Sequence, residues 1–72
     1  MLDRESVAAF VRARRLANRM TQRELAELAG LGVRLVSEVE RGKTTTRMDV
    51  VNRLLAVFGK TLGVVDAPRV EE

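Results

Sequence analysis

The stretch TQRELAELAGLGVRLVSEVERG, Thr21 to Gly42, decides the fold of this 72-residue chain. Thr21 and Glu24 are spaced as a capping box, in which each side chain satisfies a free backbone N–H at a helix start, and Met20 and Leu25 take the positions of a hydrophobic staple. A helix therefore starts at Thr21. Leu25, Ala26, Leu28 and Ala29 give it an apolar side, and Gly30 supplies the permissive backbone on which it stops. Only Gly30, Leu31 and Gly32 separate it from a second helix, Val33 to Arg41, which Gly42 terminates. In that second helix Val36 and Val39 face inward. Arg34, Ser37, Glu38 and Arg41 follow i, i+3, i+4, i+7 spacing and form one polar face pointing outward, suited to a base-pair edge. Glu40 falls beside Val36, toward the core, where a carboxylate without a cation is costly.

Upstream, Val7, Phe10, Val11 and Ala17 share one helical stripe between Glu5 and Asn18, with Arg12 and Ala13 away from it. Arg14 and Arg15 both border that stripe and are the cations within reach of Glu40. Downstream, Thr44, Thr45 and Thr46 form a polar loop, with Thr46 placed as an N-cap and Asp49 near the positive end of the next helix dipole. That fourth helix spans Arg47 to Phe58, buries Val51, Leu54, Leu55 and Phe58, and ends at Gly59. Lys60 to Val65 then reads as a β-strand with Leu62 and Val64 on one side. It has no partner strand within the chain, so it either pairs with the same strand of a second copy across a two-fold axis or packs as coil on the fourth helix. Residues 1–65 thus form one unit, and 66–72, with the only proline, Pro68, form a flexible acidic tail.

A chain of this length supports one core of marginal size, which oligomerisation would reinforce. It has no cysteine and no histidine, which excludes disulfides, the usual zinc sites and every nucleophile–histidine arrangement. Neither enzyme activity, nor a metal, nor any cofactor is expected. Apolar runs such as Val7 to Val11 are far too short for a membrane span or a signal-peptide core, so a soluble cytoplasmic protein without membrane contact is expected. The net charge is +3, but three acids and Arg69 alone lie from Asp66 onward, leaving twelve bases against seven acids in residues 1–65. A basic surface favours a polyanion such as DNA.

From Thr21 to Gly42 the chain resembles the helix-turn-helix of the XRE family, which includes the lambdoid phage repressors. The Thr-Gln start, Glu-Leu-Ala, the glycine at the turn and the closing Ser-x-x-Glu-Arg-Gly all fall in register. The resemblance implies an all-α, lambda-repressor-like domain of four helices with a short C-terminal β-strand that pairs across a dimer. It implies that Gln22 holds a phosphate, unless it is an ordinary first-turn residue, and that Val33, Arg34 and Glu38 read bases, with Leu35 and Ser37 near enough to touch bases or backbone. Arg34 is the leading candidate, because a guanidinium makes two hydrogen bonds to guanine O6 and N7. Val33 has a packing alternative, and Glu38 either accepts from cytosine N4 or pairs with Arg34 or Arg41 along the helix. Arg41, Lys43, Thr44, Thr45, Thr46 and Arg47 would line flanking phosphates, although Arg41 and Lys43 also suit the negative end of a helix dipole. The family pattern pairs Arg15 with Glu40. It often has glycine where this chain has Arg19, which a positive φ would strain.

Beyond the motif, RGKTTTRMDVVNRLLAVFGKTLGVV, Arg41 to Val65, resembles the HipB-like antitoxins. That likeness implies a homodimeric repressor of double-stranded operator DNA, clasped through Leu62, Val64 and Val65, that neutralises a HipA-like serine/threonine kinase toxin. A stand-alone repressor and a protein-interaction module without DNA binding are the alternatives.

Overall fold

In the computed structural model, which describes residues 4–43, 45–64 and 66, the expected capping box forms: the Glu24 amide donates to Thr21 Oγ1 at 3.0 Å and the Thr21 amide to Glu24 Oε1 at 2.7 Å. It opens the second of four helices, α1 (Arg4–Ala17), α2 (Gln22–Ala29), α3 (Val33–Glu40) and α4 (Met48–Val57). Among the described residues there is no strand.

Each helix ends alike. Two amides past the end turn back onto carbonyls of the last turn, and the residue between them is left-handed. Gly30, Gly42 and Gly59 fill that position after α2, α3 and α4, with φ of 72°, 79° and 72°. After α1 it is Arg19, at φ 56°, where Cβ crowds the following carbonyl.

The α2–α3 pair packs as a unit, with α1 against α3 and α4 against both α2 and α3. Val11, Leu25, Ala26, Val36, Val39, Leu54 and Leu55 form the buried core. Phe10 and Phe58 meet edge to face over it, their ring centroids 6.3 Å apart. Each fully buried aliphatic side chain contributes about 1.5–3 kcal/mol over leaving it in water.

Two expected core residues lie outside. Ala17 is exposed, because the buried side of α1 is centred on Ala8, Val11 and Arg15, rotated away from the stripe that apolar residues alone define. Leu28 is 65% exposed. It projects about 100° around α2 from the middle of the arc Leu25, Ala26 and Ala29.

The start of α4 also departs from expectation. Thr46 does not cap it; its hydroxyl donates to the Lys43 carbonyl at 3.4 Å, and Arg47 takes the cap position without a side-chain cap bond.

The strand expected over Lys60–Val65 is not formed across the described residues 60–64. Instead Asn52 Oδ1 of α4 accepts from the Leu62 amide at 2.7 Å and the Thr61 hydroxyl at 3.1 Å. Leu62 packs against the core while Val64 is fully exposed, so the two do not share a side. Val65 and tail residues 67–72 lie outside the described residues.

Replacing Arg19 with glycine removes a left-handed strain of about 1–2 kcal/mol and adds backbone freedom to the unfolded chain worth about 0.4–1 kcal/mol. The strain is the larger, so Arg19→Gly is expected to stabilise by about 0.5–1 kcal/mol. Urea unfolding should show a higher midpoint at unchanged slope; an unchanged or lower midpoint contradicts the strain.

Candidate nucleic-acid interface

Arg15 and Glu40, the residues expected to pair, are brought together between α1 and α3. Arg15 Nε donates to Glu40 Oε2 at 2.7 Å and Nη2 to Oε1 at 3.0 Å, the paired geometry in which guanidinium and carboxylate match best. The third arm, Nη1, donates to the Met20 carbonyl at 2.9 Å, tying down the turn that leads into α2. Both side chains are enclosed, at 10% and 4% exposure. No buried side-chain nitrogen or oxygen lacks a partner among the described residues.

Gln22, the first residue of α2, joins the same pair. Its Nε2 donates to Glu40 Oε1 at 3.1 Å, a link of eighteen residues that spacing along the chain does not reveal. One Nε2–H is thereby committed to Glu40, which leaves Gln22 a second amide N–H. Burial pushes the Glu40 carboxyl up, but the hydrogen bonds from Arg15 and Gln22, with the charges of Arg15 and Arg12, outweigh it and hold the group below its ordinary value. The hydrogen bond to Glu40 raises Arg15 in turn, against the opposing effect of burial.

With its inward side anchored, α3 presents the opposite side to solvent. Val33 and Arg34 are exposed at its start, the Arg34 side chain at 88%. Leu35 and Ser37 are half-buried at the edges of that face, and Arg41 is exposed at its end. Glu38 is different: its side chain is only 12% exposed, and its carboxylate lies 3.4 Å from Arg34 Nε and 3.3 Å from Lys43 Nζ. The hydrogen bond from Lys43, with the nearby charge of Arg34, holds Glu38 below its ordinary value although partial desolvation opposes it. Of the pairings weighed from sequence, Arg34 is present; Lys43, beyond the helix end, is the partner that same-face spacing misses.

The flanking loop is mixed. Thr45 is exposed and Thr46 half-buried. Thr44 lies outside the described residues. Arg47 is exposed but its guanidinium is held by Asp49 at 2.9 and 3.1 Å, so its charge is already matched. On the far side, Arg53 Nη1 donates to the Gly30 carbonyl at 3.2 Å and braces the end of α2 from α4. No His, Cys, Asp or Glu cluster able to hold a metal ion occurs among the described residues, and no helix among them is long and apolar enough to cross a membrane.

The arrangement is a rigid pair of short helices, one with a polar first turn and one with an outward polar face next to a basic loop. Comparison with known proteins agrees with it. A helix-turn-helix family model, HTH_3, matches residues 11–65. A Haemophilus influenzae protein described as an uncharacterised HTH-type transcriptional regulator is 33% identical over 46 residues, 64% of this chain and 47% of that protein. A second such regulator, y4mF of Sinorhizobium fredii, is 32% identical over 59 residues, 82% of this chain and 78% of that protein. The chain thus spans about half the length of the first relative and over three quarters of the second.

Because its folded pKa lies below the unfolded value of about 4.3, Glu40 contributes stability that is full above that value and is lost as pH falls through the folded pKa. Thermal stability should therefore fall on acidification below about pH 5, read as a lower midpoint of thermal unfolding. Glu40→Gln at neutral pH should cost about 3–5 kcal/mol by leaving Arg15 buried and unmatched. A loss under about 1 kcal/mol, the range of an exposed pair, would contradict the anchoring role.

Proposed function

The chain belongs to the helix-turn-helix family, and on that footing we propose that it is a DNA-binding transcriptional regulator. The observation that carries this reading is the exposed polar face of α3, held outward by the Arg15–Glu40 anchor and led by the uncommitted end of the Arg34 guanidinium. In this reading α3 lies in the major groove and Arg34 meets guanine O6 and N7. Val33 contacts the neighbouring base, Leu35 and Ser37 touch the groove edge, and Gln22 with the start of α2 meets a backbone phosphate. Arg41, Lys43 and Thr45 follow the flanking phosphates. The two curated relatives, both described as transcriptional regulators, support the same reading.

The narrower proposal is a homodimeric repressor acting in the cytoplasm, without enzymatic activity of its own, on a palindromic operator with half-sites roughly 34 Å apart. Its exposed Val64, beside a segment pinned to α4 by Asn52, is the surface we assign to the dimer contact. The resemblance of residues 41–65 to HipB-like antitoxins is the ground for proposing a HipA-like kinase toxin as partner and its operon as the regulated target. Recovery of a kinase with the protein from its native cell tests that branch, and recovery of the protein alone favours a stand-alone repressor.

Binding to DNA from upstream of its gene should weaken steeply with added salt, and Arg34→Ala should lose about 1–3 kcal/mol of discrimination at one base pair of each half-site. Uniform loss on all duplexes would remove Arg34 from base reading; a surface that binds no duplex would favour a protein-interaction module. Sedimentation at micromolar concentration should give a dimer that Val64→Asp dissociates without unfolding, and a monomeric wild type would remove the clasp.

A further inference from the structure

Glu38 is an acid at the centre of a face proposed to approach a polyanion, and its surroundings give it a use other than touching a base. Its side chain is mostly covered, at 12% exposure, and one carboxylate oxygen, Oε2, faces both Arg34 Nε at 3.4 Å and Lys43 Nζ at 3.3 Å. Oε2 is thus committed to two cations, and a cytosine amino group would find only Oε1 of this largely covered side chain to accept from it. Lys43 is half-exposed and would otherwise present a full charge to any phosphate; Arg34, on a flexible stem, would do the same. The contact to Arg34 engages Nε and leaves the two terminal nitrogens, the end that forks onto guanine, free in solvent.

We propose that Glu38 is a specificity-determining residue that acts through Arg34 and Lys43: it offsets positive charge on the reading face, lowering affinity for DNA of any sequence while leaving the Arg34 fork available to guanine. This rests on the DNA-binding reading. The offset acts on the term common to all sequences, which scales with the phosphates neutralised, and spares the term that depends on the base edge. Glu38 is therefore a positioning and charge-matching residue, and removing it strengthens binding where it should be weak.

The test compares the full-length wild type with Glu38→Gln, using fluorescence anisotropy on a duplex of unrelated sequence across a salt series, and selection from randomised duplexes. Glu38→Gln keeps the side chain's size and helix preference; Glu38→Ala is the second variant, and thermal unfolding of each reports its fold. Each cation released should steepen the log–log salt slope by about 0.9 and raise non-specific affinity about five- to tenfold near 0.1 M salt. The selected sites should keep the guanine assigned to Arg34 with a lower ratio of specific to non-specific binding. An unchanged slope overturns the proposal. So does loss of a cytosine preference at one position without a slope change, which would make Glu38 a base reader. A wild type that binds no duplex at any salt overturns the DNA-binding reading and this proposal with it.

Discussion

Arg15 reaches from α1 to Glu40 on α3 with two arms of its guanidinium and holds the Met20 carbonyl with the third, while Gln22 closes on Glu40 from the start of α2. Three helices and the turn between the first two therefore meet at one ion pair. An ion pair enclosed this far need not stabilise more than apolar residues of the same volume would, because removing both charges from water is costly. Its contribution is geometric. A guanidinium and a carboxylate lock in a narrow range of distance and angle, whereas Val11, Val36 and Leu54 tolerate sliding contacts. The pair sets the rotation of α3 about its own axis, and that rotation decides which side chains face outward.

Glu38 and Glu40 illustrate the consequence. Two residues apart on a helix means about 200° of rotation, so one carboxylate is anchored inward and the other lies on the outer face. Both are held below the ordinary carboxylate range, by different cations and in different settings. The inward acid holds structure together through Arg15 and Gln22; the outward one sits between Arg34 and Lys43 and shapes the charge of the surface. Exchanging their roles would require α3 to turn by half a circle, which the Arg15 fork forbids.

Much of this was legible along the chain because it depends on short spacings. Thr21 and Glu24 are three residues apart, Gly30 and Gly42 mark the helix ends, and the apolar periods of α2, α3 and α4 place Leu25, Val36, Val39, Leu54 and Leu55 inside. What escaped depends on partners distant in sequence. Gln22 bonding Glu40, Asn52 holding Leu62 and Arg53 bracing Gly30 are tertiary contacts with no periodic signature. Periodicity also misplaced the buried side of α1, since it counts apolar residues only and the enclosed Arg15 is charged; recognising Arg15 as inward turns the stripe toward Ala8 and leaves Ala17 in solvent. Of the two readings that β-branched residues near the C-terminus left open, the single chain has the coil on α4, because Asn52 satisfies the Leu62 amide locally and Leu62 turns onto the core.

In the proposed regulator, α3 presents its outer face to DNA while its inner face remains anchored to α1. Amide chemical shifts of the isotope-labelled protein, followed during titration with duplex DNA from upstream of its own gene, address that claim most directly. The largest changes should fall on Gln22, Val33 to Glu38 and Lys43 to Arg47, with Val11, Val39 and Leu54 nearly still. Changes concentrated on the outer sides of α1 or α4, with α3 unaffected, would contradict it.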